Sequence, residues 1–477
     1  MTEALPALLV FIPFLAGVLQ FVTDRRGIPL LPVITTVLTA ALTGWLIVDV
    51  AVHGSVEHVL GGWEAPLGIR LHADGLAVVM LLLTAVTGTM VSVYALASHG
   101  RHAAGASHFW ALWLLLWGSL NALFLSGDLF NIYVTLELVS LAAIPLVLLA
   151  GADKTTDATL RYLLFALFGS LVYLAGVALI YGIAGTLDLS LVADPLADSG
   201  FAGALAASCL ILGIMIKAAI VPFHVWLPAA HGGAPAAASA LLSALVVKAA
   251  VYLLLRLWTE PLAGLATAPT GQFLGAVGAV AILYGSVRAF FQERLKLVIA
   301  YSTVAQLGYM LLFFPMAVAL AWEGAVYHGL AHGVAKAALF LAAGNVIAYV
   351  GHDRLREISG LDRSLSISLF AFALAAVSIM GLPPSGGFIA KWLLLRAAAE
   401  TGQWWWLVVL TLGGLLAAAY MFRVLRFAFL RSAGPTVDHQ GPRPGRLRVW
   451  PTMALAVLAI ALGVAAAPIL ALLGGLP

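Results

Sequence analysis

Several ionisable side chains sit where the surrounding sequence is apolar enough for lipid. Glu137 lies within Phe130 to Ser140, Lys217 within Ile214 to Ile220, and Lys248 within Leu245 to Ala250. His328, His332 and Lys336 recur at i, i+4, i+8, which sets them in one row along a helix. Lys391 follows Gly387-Phe388-Ile389-Ala390. A charge at the bilayer centre costs at least about 2.5–3.5 kcal/mol on insertion scales, so each needs a reason. Proton movement supplies one. A poorly hydrated lysine gives up its proton more readily, and a carboxylate beside it restores its hold. A mobile Glu–Lys pair therefore switches a lysine between holding and releasing a proton. Histidine titrates near neutral pH and relays protons between waters. At one membrane depth, such groups make a lateral path.

Plainer readings compete. One intramembrane lysine can snorkel to the interface or lock two helices by a salt bridge. Snorkelling serves lysines near span ends, not a mid-span set. His224 and His231 are expected to satisfy backbone groups freed at a helix break rather than carry protons. Arg294 and Lys296 read as anchors at a helix end, and Trp404, Trp405 and Trp406 as an interface belt. His328 and His332 have the spacing of zinc ligands, but no glutamate lies between them and no third ligand is evident, so no metal is expected. With no Cys cluster, Rossmann glycine fingerprint or nucleotide loop, no cofactor and no catalytic site of the chain's own is expected. Cys209, the only cysteine, supplies neither disulfide nor iron–sulfur cluster and reads as a packing residue.

The elements that must position these groups follow from composition. Hydrophobic residues make up 63% of the chain and charged ones 9%, against about 25% charged in soluble domains. Mean hydropathy is +1.06. The lipid bilayer must be the solvent for much of the surface. A formal net charge of +3 is too small to suggest nucleic acid.

About fourteen runs are long and apolar enough to span: Ala4–Thr23, Ile28–Val50, Gly75–Ser98, His108–Leu125, Leu129–Ala150, Leu160–Ile183, Phe201–Leu227, Pro235–Trp258, Gly271–Phe291, Leu295–Phe314, Trp322–Val350, Ser364–Leu395, Gln403–Leu430 and Trp450–Leu473. The first lacks a basic n-region and reads as a span, not a cleaved leader. Loops after odd runs carry Arg25, Arg26, Arg101, Lys154, Arg294, Lys296, Arg354, Arg356, Arg363, Arg431, Arg443, Arg446 and Arg448. Loops after even runs are mostly acidic, with Glu57, Glu64, Asp74, Asp188, Asp194, Asp198, Glu260 and Glu400. The positive-inside rule puts the odd loops in the cytoplasm and both termini outside, on the periplasmic side of a bacterial inner membrane.

Two runs are interrupted, the seventh around Pro222 and Pro228 and the twelfth around Pro383 and Pro384. Proline breaks a helix, and broken backbone at membrane depth survives only where protein or water satisfies it. Such breaks in corresponding places point to inverted repeats. The expected organisation is a three-helix segment (1–107), a first five-helix repeat (108–260), a second (261–432), and a C-terminal loop and helix (433–477).

These residues resemble a known family: the antiporter-like membrane subunits of complex I, Mrp-type cation/proton antiporters and membrane-bound hydrogenases. The likeness is carried by Ser126 to Asn131 leading to Glu137, Lys217 to Pro228, His231 to Lys248, Tyr301 to Tyr309, His328 to Lys336, and Gly381 to Lys391. It implies an all-α polytopic fold with two inverted five-helix repeats and broken helices 7 and 12. It also implies a proton path through Glu137, Lys217, Lys248, His328, His332, Lys336 and Lys391. Lys391 and the segment Gly61 to Ile69 look most like the D-type Mrp subunit, although the residues around Glu137 are small and aliphatic where Mrp members are often aromatic. The implied function is proton translocation within a multisubunit Na+(K+)/H+ antiporter, with other membrane subunits as partners and protons and monovalent cations as cargo. The alternative is a proton-pumping subunit of a redox complex, an NADH:quinone oxidoreductase or membrane-bound hydrogenase.

Overall fold

A backbone surrounded by lipid must pair every N–H and C=O within itself, and helices do this locally. The computed structural model describes residues 2–23, 30–98, 106–358, 365–429, 441–474 and 476. Arg25, Arg26, Arg101, Arg363 and Arg431, and the expected boundary at 432–433, lie outside the described residues.

Among the described residues, eleven helices are long and apolar enough to cross a membrane: Leu5–Thr23, Leu30–His53, Gly75–Ser98, His108–Leu125, Leu129–Leu148, Thr155–Ala184, Ala236–Thr259, Ala268–Phe291, Leu295–Met316, Ala319–Val350 and Trp404–Phe429. The pair Arg446–Ala461 and Ala466–Leu472 makes a twelfth when taken as one span. The protein is thus a polytopic, almost wholly helical membrane protein. The remaining two expected runs are the interrupted ones. Their first halves, Phe201–Lys217 and Ser366–Met380, are too short to cross alone.

Both breaks are built from their own sequence. After Lys217 the chain turns through Ala219, held at φ 54°, before a short 3-10 turn Phe223–Val225 and a restarted helix Trp226–Gly233. Pro222 lies in the break, whereas Pro228 lies in the first turn of the restarted helix, where its missing N–H costs nothing. The second break opens at Gly381, whose φ of 79° ends Ser366–Met380 in a left-handed cap. Pro383 and Pro384 follow, and the Ser385 hydroxyl caps Gly386–Glu400 by accepting from the Phe388 N–H at 3.3 Å.

The last run is not the straight span expected over Trp450–Leu473. It bends by 80° between Arg446–Ala461 and Ala466–Leu472. At the bend the Tyr327 hydroxyl donates to the Leu462 carbonyl, and a Cβ on Gly463 would fall 1.7 Å from the Pro384 carbonyl oxygen. The bend is where this run packs closely against the second break.

A small hairpin was not anticipated. Val56–Val59 pairs antiparallel with Arg70–Ala73, in register Val56↔Ala73 to Val59↔Arg70. Glu57 thereby faces His72 and pairs with it at 2.9 Å and with Arg70 at 2.8 Å.

Burial separates an inner set of helices from a lipid-facing set. Ala236–Thr259 is 100% buried over its apolar window, and Leu295–Met316 and Ala319–Val350 are each 89% buried, against 33% for Leu30–His53 and Trp404–Phe429. The inner three carry Lys248, His328, His332 and Lys336, so these groups face protein rather than lipid, as intramembrane charges must. Helices cross closely where glycine allows. A Cβ on Gly213 would sit 2.6 Å from both the Gly169 carbonyl oxygen and the Tyr173 nitrogen. That contact seats Phe201–Lys217 against Ala152–Ala184 and fixes where Lys217 ends.

Candidate proton path

Lys217 is the last residue of its helix, at the negative end of the helix dipole. Its Nζ donates to Glu137 Oε1 at 2.9 Å, to the Ser140 hydroxyl at 3.1 Å and to the Leu136 carbonyl at 3.2 Å. The Ser170 hydroxyl donates to the same Glu137 oxygen. Lys217 is 7% exposed, so the pair is largely out of solvent and losing one partner strands a buried charge. A cavity of about 20 Å³, room for about one water, lies beside it. Lys217 and Ser140 form part of its wall, and Val246, Ala249 and Ala250, flanking Lys248, form another.

Lys248 follows a π-helical turn, Leu242–Val246, a local widening common at functional sites. Its ammonium donates to the Ser243 carbonyl, and the Ser243 hydroxyl meets the Thr303 hydroxyl at 2.9 Å. Thr303 donates to the Ile299 carbonyl at 3.1 Å, and Lys336 donates to that same carbonyl at 2.7 Å and to the Ser302 hydroxyl. A thread of hydroxyls and carbonyls therefore joins Lys248 to Lys336.

From Lys336 the row continues through His332 to His328, whose rings stack with centroids 5.7 Å apart. His328 stacks on Tyr309 at 5.2 Å, and the Lys391 ammonium lies 4.6 Å from the centroid of that ring. Lys391 also donates to the Ile379 and Met380 carbonyls at 2.8 and 3.3 Å, which end the first half of the second broken helix. The predicted residues thus fall into two groups. Glu137 and Lys217 are paired directly, and the others follow from Lys248 to Lys391. All four ring nitrogens of His328 and His332 are buried without a protein hydrogen-bond partner.

Two expectations are corrected. His231 does not satisfy freed backbone: both its ring nitrogens lack a protein partner, and the buried ring stacks on Phe340 at 4.6 Å. Carbonyls at the break are taken by backbone N–H groups, as in Phe223 N–H to Ile220 O at 2.7 Å, and by other side chains, as in the Trp226 indole N–H to Ile216 O at 3.2 Å. Lys296 is not a solvated anchor. It is buried and donates to the Ala234 carbonyl, while Arg294 beside it stays half exposed, pairs with Asp353 at 2.9 Å and reaches the Gly232 carbonyl at 3.1 Å. Arg294, Lys296, Gly232, Ala234, His352 and Arg448 help to line a cavity of about 410 Å³.

One network was missed. Arg256 donates to both oxygens of Asp74 at 2.7 Å, to Glu260 at 2.5 Å and to the Tyr252 hydroxyl. Burial pushes the Asp74 carboxyl up, but the Arg256 charge and hydrogen bonds outweigh it and hold Asp74 below the usual carboxylate range. The signal was present: Tyr252 and Arg256 follow Lys248 at i+4 and i+8.

Fold and site together define a polytopic helical membrane protein with a polar axis buried inside it and two interrupted helices on that axis. Residues 126–417 match the family described as NADH:quinone oxidoreductase/Mrp antiporter, TM, and the chain belongs to that family. It is 35% identical over 480 residues to the N subunit of the NADH-quinone oxidoreductase of Desulforudis audaxviator, covering 97% of this chain and 95% of that one. It is 30% identical over 433 residues to the D subunit of the Na(+)/H(+) antiporter of Alkalihalophilus pseudofirmus, covering 89% and 86%. Among solved structures it superposes on a chain of the Mrp complex from Dietzia sp. with a TM-score of 0.89 at 26% identity, covering 99% and 96%.

Proposed function

We propose that this chain is the proton-translocating subunit of a multisubunit Na+(K+)/H+ antiporter of the Mrp type, of the D type among its membrane subunits. The observation that carries the proposal is the Glu137–Lys217 pair at an interrupted helix, at 2.9 Å and largely out of solvent, with Lys248 and Lys336 beyond it hydrogen-bonded to neutral carbonyls and hydroxyls and Lys391 to carbonyls beside the Tyr309 ring. Glu137 holds the proton on Lys217; when the pair parts, Lys217 sheds its proton toward Lys248. Lys336, His332 and His328 pass it along the row, and Lys391 ends the path beside the second break. The likeness to an Mrp complex chain along nearly its whole length supports this reading.

The same proposal counts the two interrupted runs as crossings, about fourteen in all. It divides the chain into the segments 1–107, 108–260, 261–432 and 433–477, the middle two being inverted repeats. It places the arginine-rich loops in the cytoplasm and both termini outside a bacterial inner membrane. Neighbouring membrane subunits complete the route for protons and Na+ or K+.

A second reading has its own support, the 35% identity to the N subunit of an NADH-quinone oxidoreductase along almost the full length of both chains. There the same residues would move protons within a redox-driven translocase. Inverted vesicles carrying the complete native complex separate the two. Dissipation of an imposed pH gradient by Na+ or K+ supports antiport. Proton pumping that starts only on adding a reductant replaces it with the redox reading.

A further inference from the structure

The face of the molecule that bears the hairpin carries a third cavity, of about 290 Å³, lined in part by Arg70, His72, Ser126, Ser190, Arg256 and Glu260. It stops at Arg256. That residue stands on Val247–Thr259 two turns beyond Lys248, so Lys248, Tyr252 and Arg256 form one stripe leading from the buried axis toward the cavity.

The stripe is chemically closed. All five N–H donors of Arg256 are engaged: Nε with Tyr252 at 3.2 Å, one terminal nitrogen with Asp74 and Glu260 at 2.7 and 2.5 Å, the other with Asp74 and Tyr252 at 2.7 and 3.0 Å. Tyr252 accepts two of these bonds and gives its own proton to the Phe124 carbonyl at 2.6 Å. Asp74 uses both oxygens on Arg256 and one of them also on the Ala77 N–H at 2.9 Å. A proton relay needs a group that can take one proton and release another. Arginine does not release its proton in proteins, and the hydroxyl beside it has its donor and acceptor positions filled. The network also ties together the start of Gly75–Ser98, the end of Ala106–Leu125 and the end of Val247–Thr259, so no single helix can shift and open it alone.

Lys248 turns the other way. Its ammonium bonds the Ser243 carbonyl, one turn back along its own helix and away from Arg256.

We infer that Asp74, Tyr252, Arg256 and Glu260 form a proton-tight plug that seals the Lys248 stripe from the hairpin face, so that a proton on Lys248 travels along the buried axis and not straight out to that face. The inference rests on the proposed proton path. It makes the Lys248 region a lateral conductor, and Tyr252 and Arg256 positioning residues rather than carriers.

The test is the passive proton leak of the complete native complex in liposomes, under an imposed pH gradient and without a cation gradient. Tyr252→Phe removes only the hydroxyl, and Asp74→Asn removes the charge that clamps Arg256. Each is expected to leak several-fold faster than wild type, and adding Lys248→Met to Tyr252→Phe is expected to return the leak to the wild-type rate. An unchanged leak in Tyr252→Phe overturns the plug, and so does a leak that survives Lys248→Met. Should Asp74→Asn prevent assembly, Tyr252→Phe alone decides. Failure of the underlying reading looks different: wild-type complex in the same liposomes then gives no cation-driven proton flux at all.

Discussion

The Lys391 ammonium lies 4.6 Å from the centroid of the Tyr309 ring, and the same ring stacks on His328 at 5.2 Å. One aromatic residue thus joins the lysine beside the second break to the histidine row. Lys391 donates only to backbone carbonyls besides, so the ring face is a substantial part of what holds its charge, about 0.5–2 kcal/mol or more when desolvated.

Tyr309→Leu should therefore lower cation-driven proton flux several-fold while the complex still assembles. Tyr309→Phe keeps the ring and loses a hydroxyl that is buried without a hydrogen-bond partner. It should retain flux, and its thermal midpoint should equal or exceed that of wild type. Equal flux from the Phe and Leu variants would show that the ring does not couple the two residues.

Lys336 supports a prediction in which stability and activity move apart. Neither acceptor depends on it: the Ile299 carbonyl also accepts from Ser302 at 2.9 Å and from Thr303 at 3.1 Å, and the Ser302 hydroxyl keeps that carbonyl as its own partner. Lys336→Met strands neither acceptor and removes a buried charge. The variant complex should be as stable as wild type or more so, by up to about 1–4 kcal/mol, with flux lost. A thermal melt and a flux assay on the same preparation check both halves; a destabilised variant with full flux would make Lys336 structural.

Gly213 sets the approach that places Lys217. Gly213→Val would drive side-chain atoms into the Gly169 carbonyl and Tyr173 backbone, 2.6 Å from the first added carbon. The clash costs about 1–3 kcal/mol or more, and the variant should yield little assembled complex, with Gly213→Ala between it and wild type. Normal yield and flux from the valine variant would contradict the packing described.

The proposed orientation can be read by labelling. In a Cys209→Ala background, an impermeant maleimide added outside intact cells should modify Ser190→Cys and spare Arg356→Cys; both positions are solvent-exposed. The reverse pattern would invert the proposed topology.

Much of this was legible beforehand because lipid leaves few choices. Gly75–Ser98 matches its apolar run at both ends, and the Pro383–Pro384 pair announced its break. The hairpin was not legible, since four-residue strands in a polar loop carry too little alternation to register. The bend after Ala461 was hidden because its cause is distant, the Tyr327 hydroxyl and the Pro384 carbonyl. His231 and Lys296 were misread for one reason. Proximity to a break or a helix end says nothing about whether a side chain turns into the protein or out of it. Arg256 was passed over because a single arginine near a span end looks like an anchor until Asp74 is found on both its terminal nitrogens.

The most direct measurement is cation-dependent proton flux in inverted vesicles carrying the native complex, comparing wild type with Glu137→Gln and Lys217→Met. Loss of flux in both variants, with the complex assembled, is the predicted result, because each leaves the 2.9 Å pair unable to trade a proton. Wild-type flux in both variants would contradict a proton path that begins at this pair.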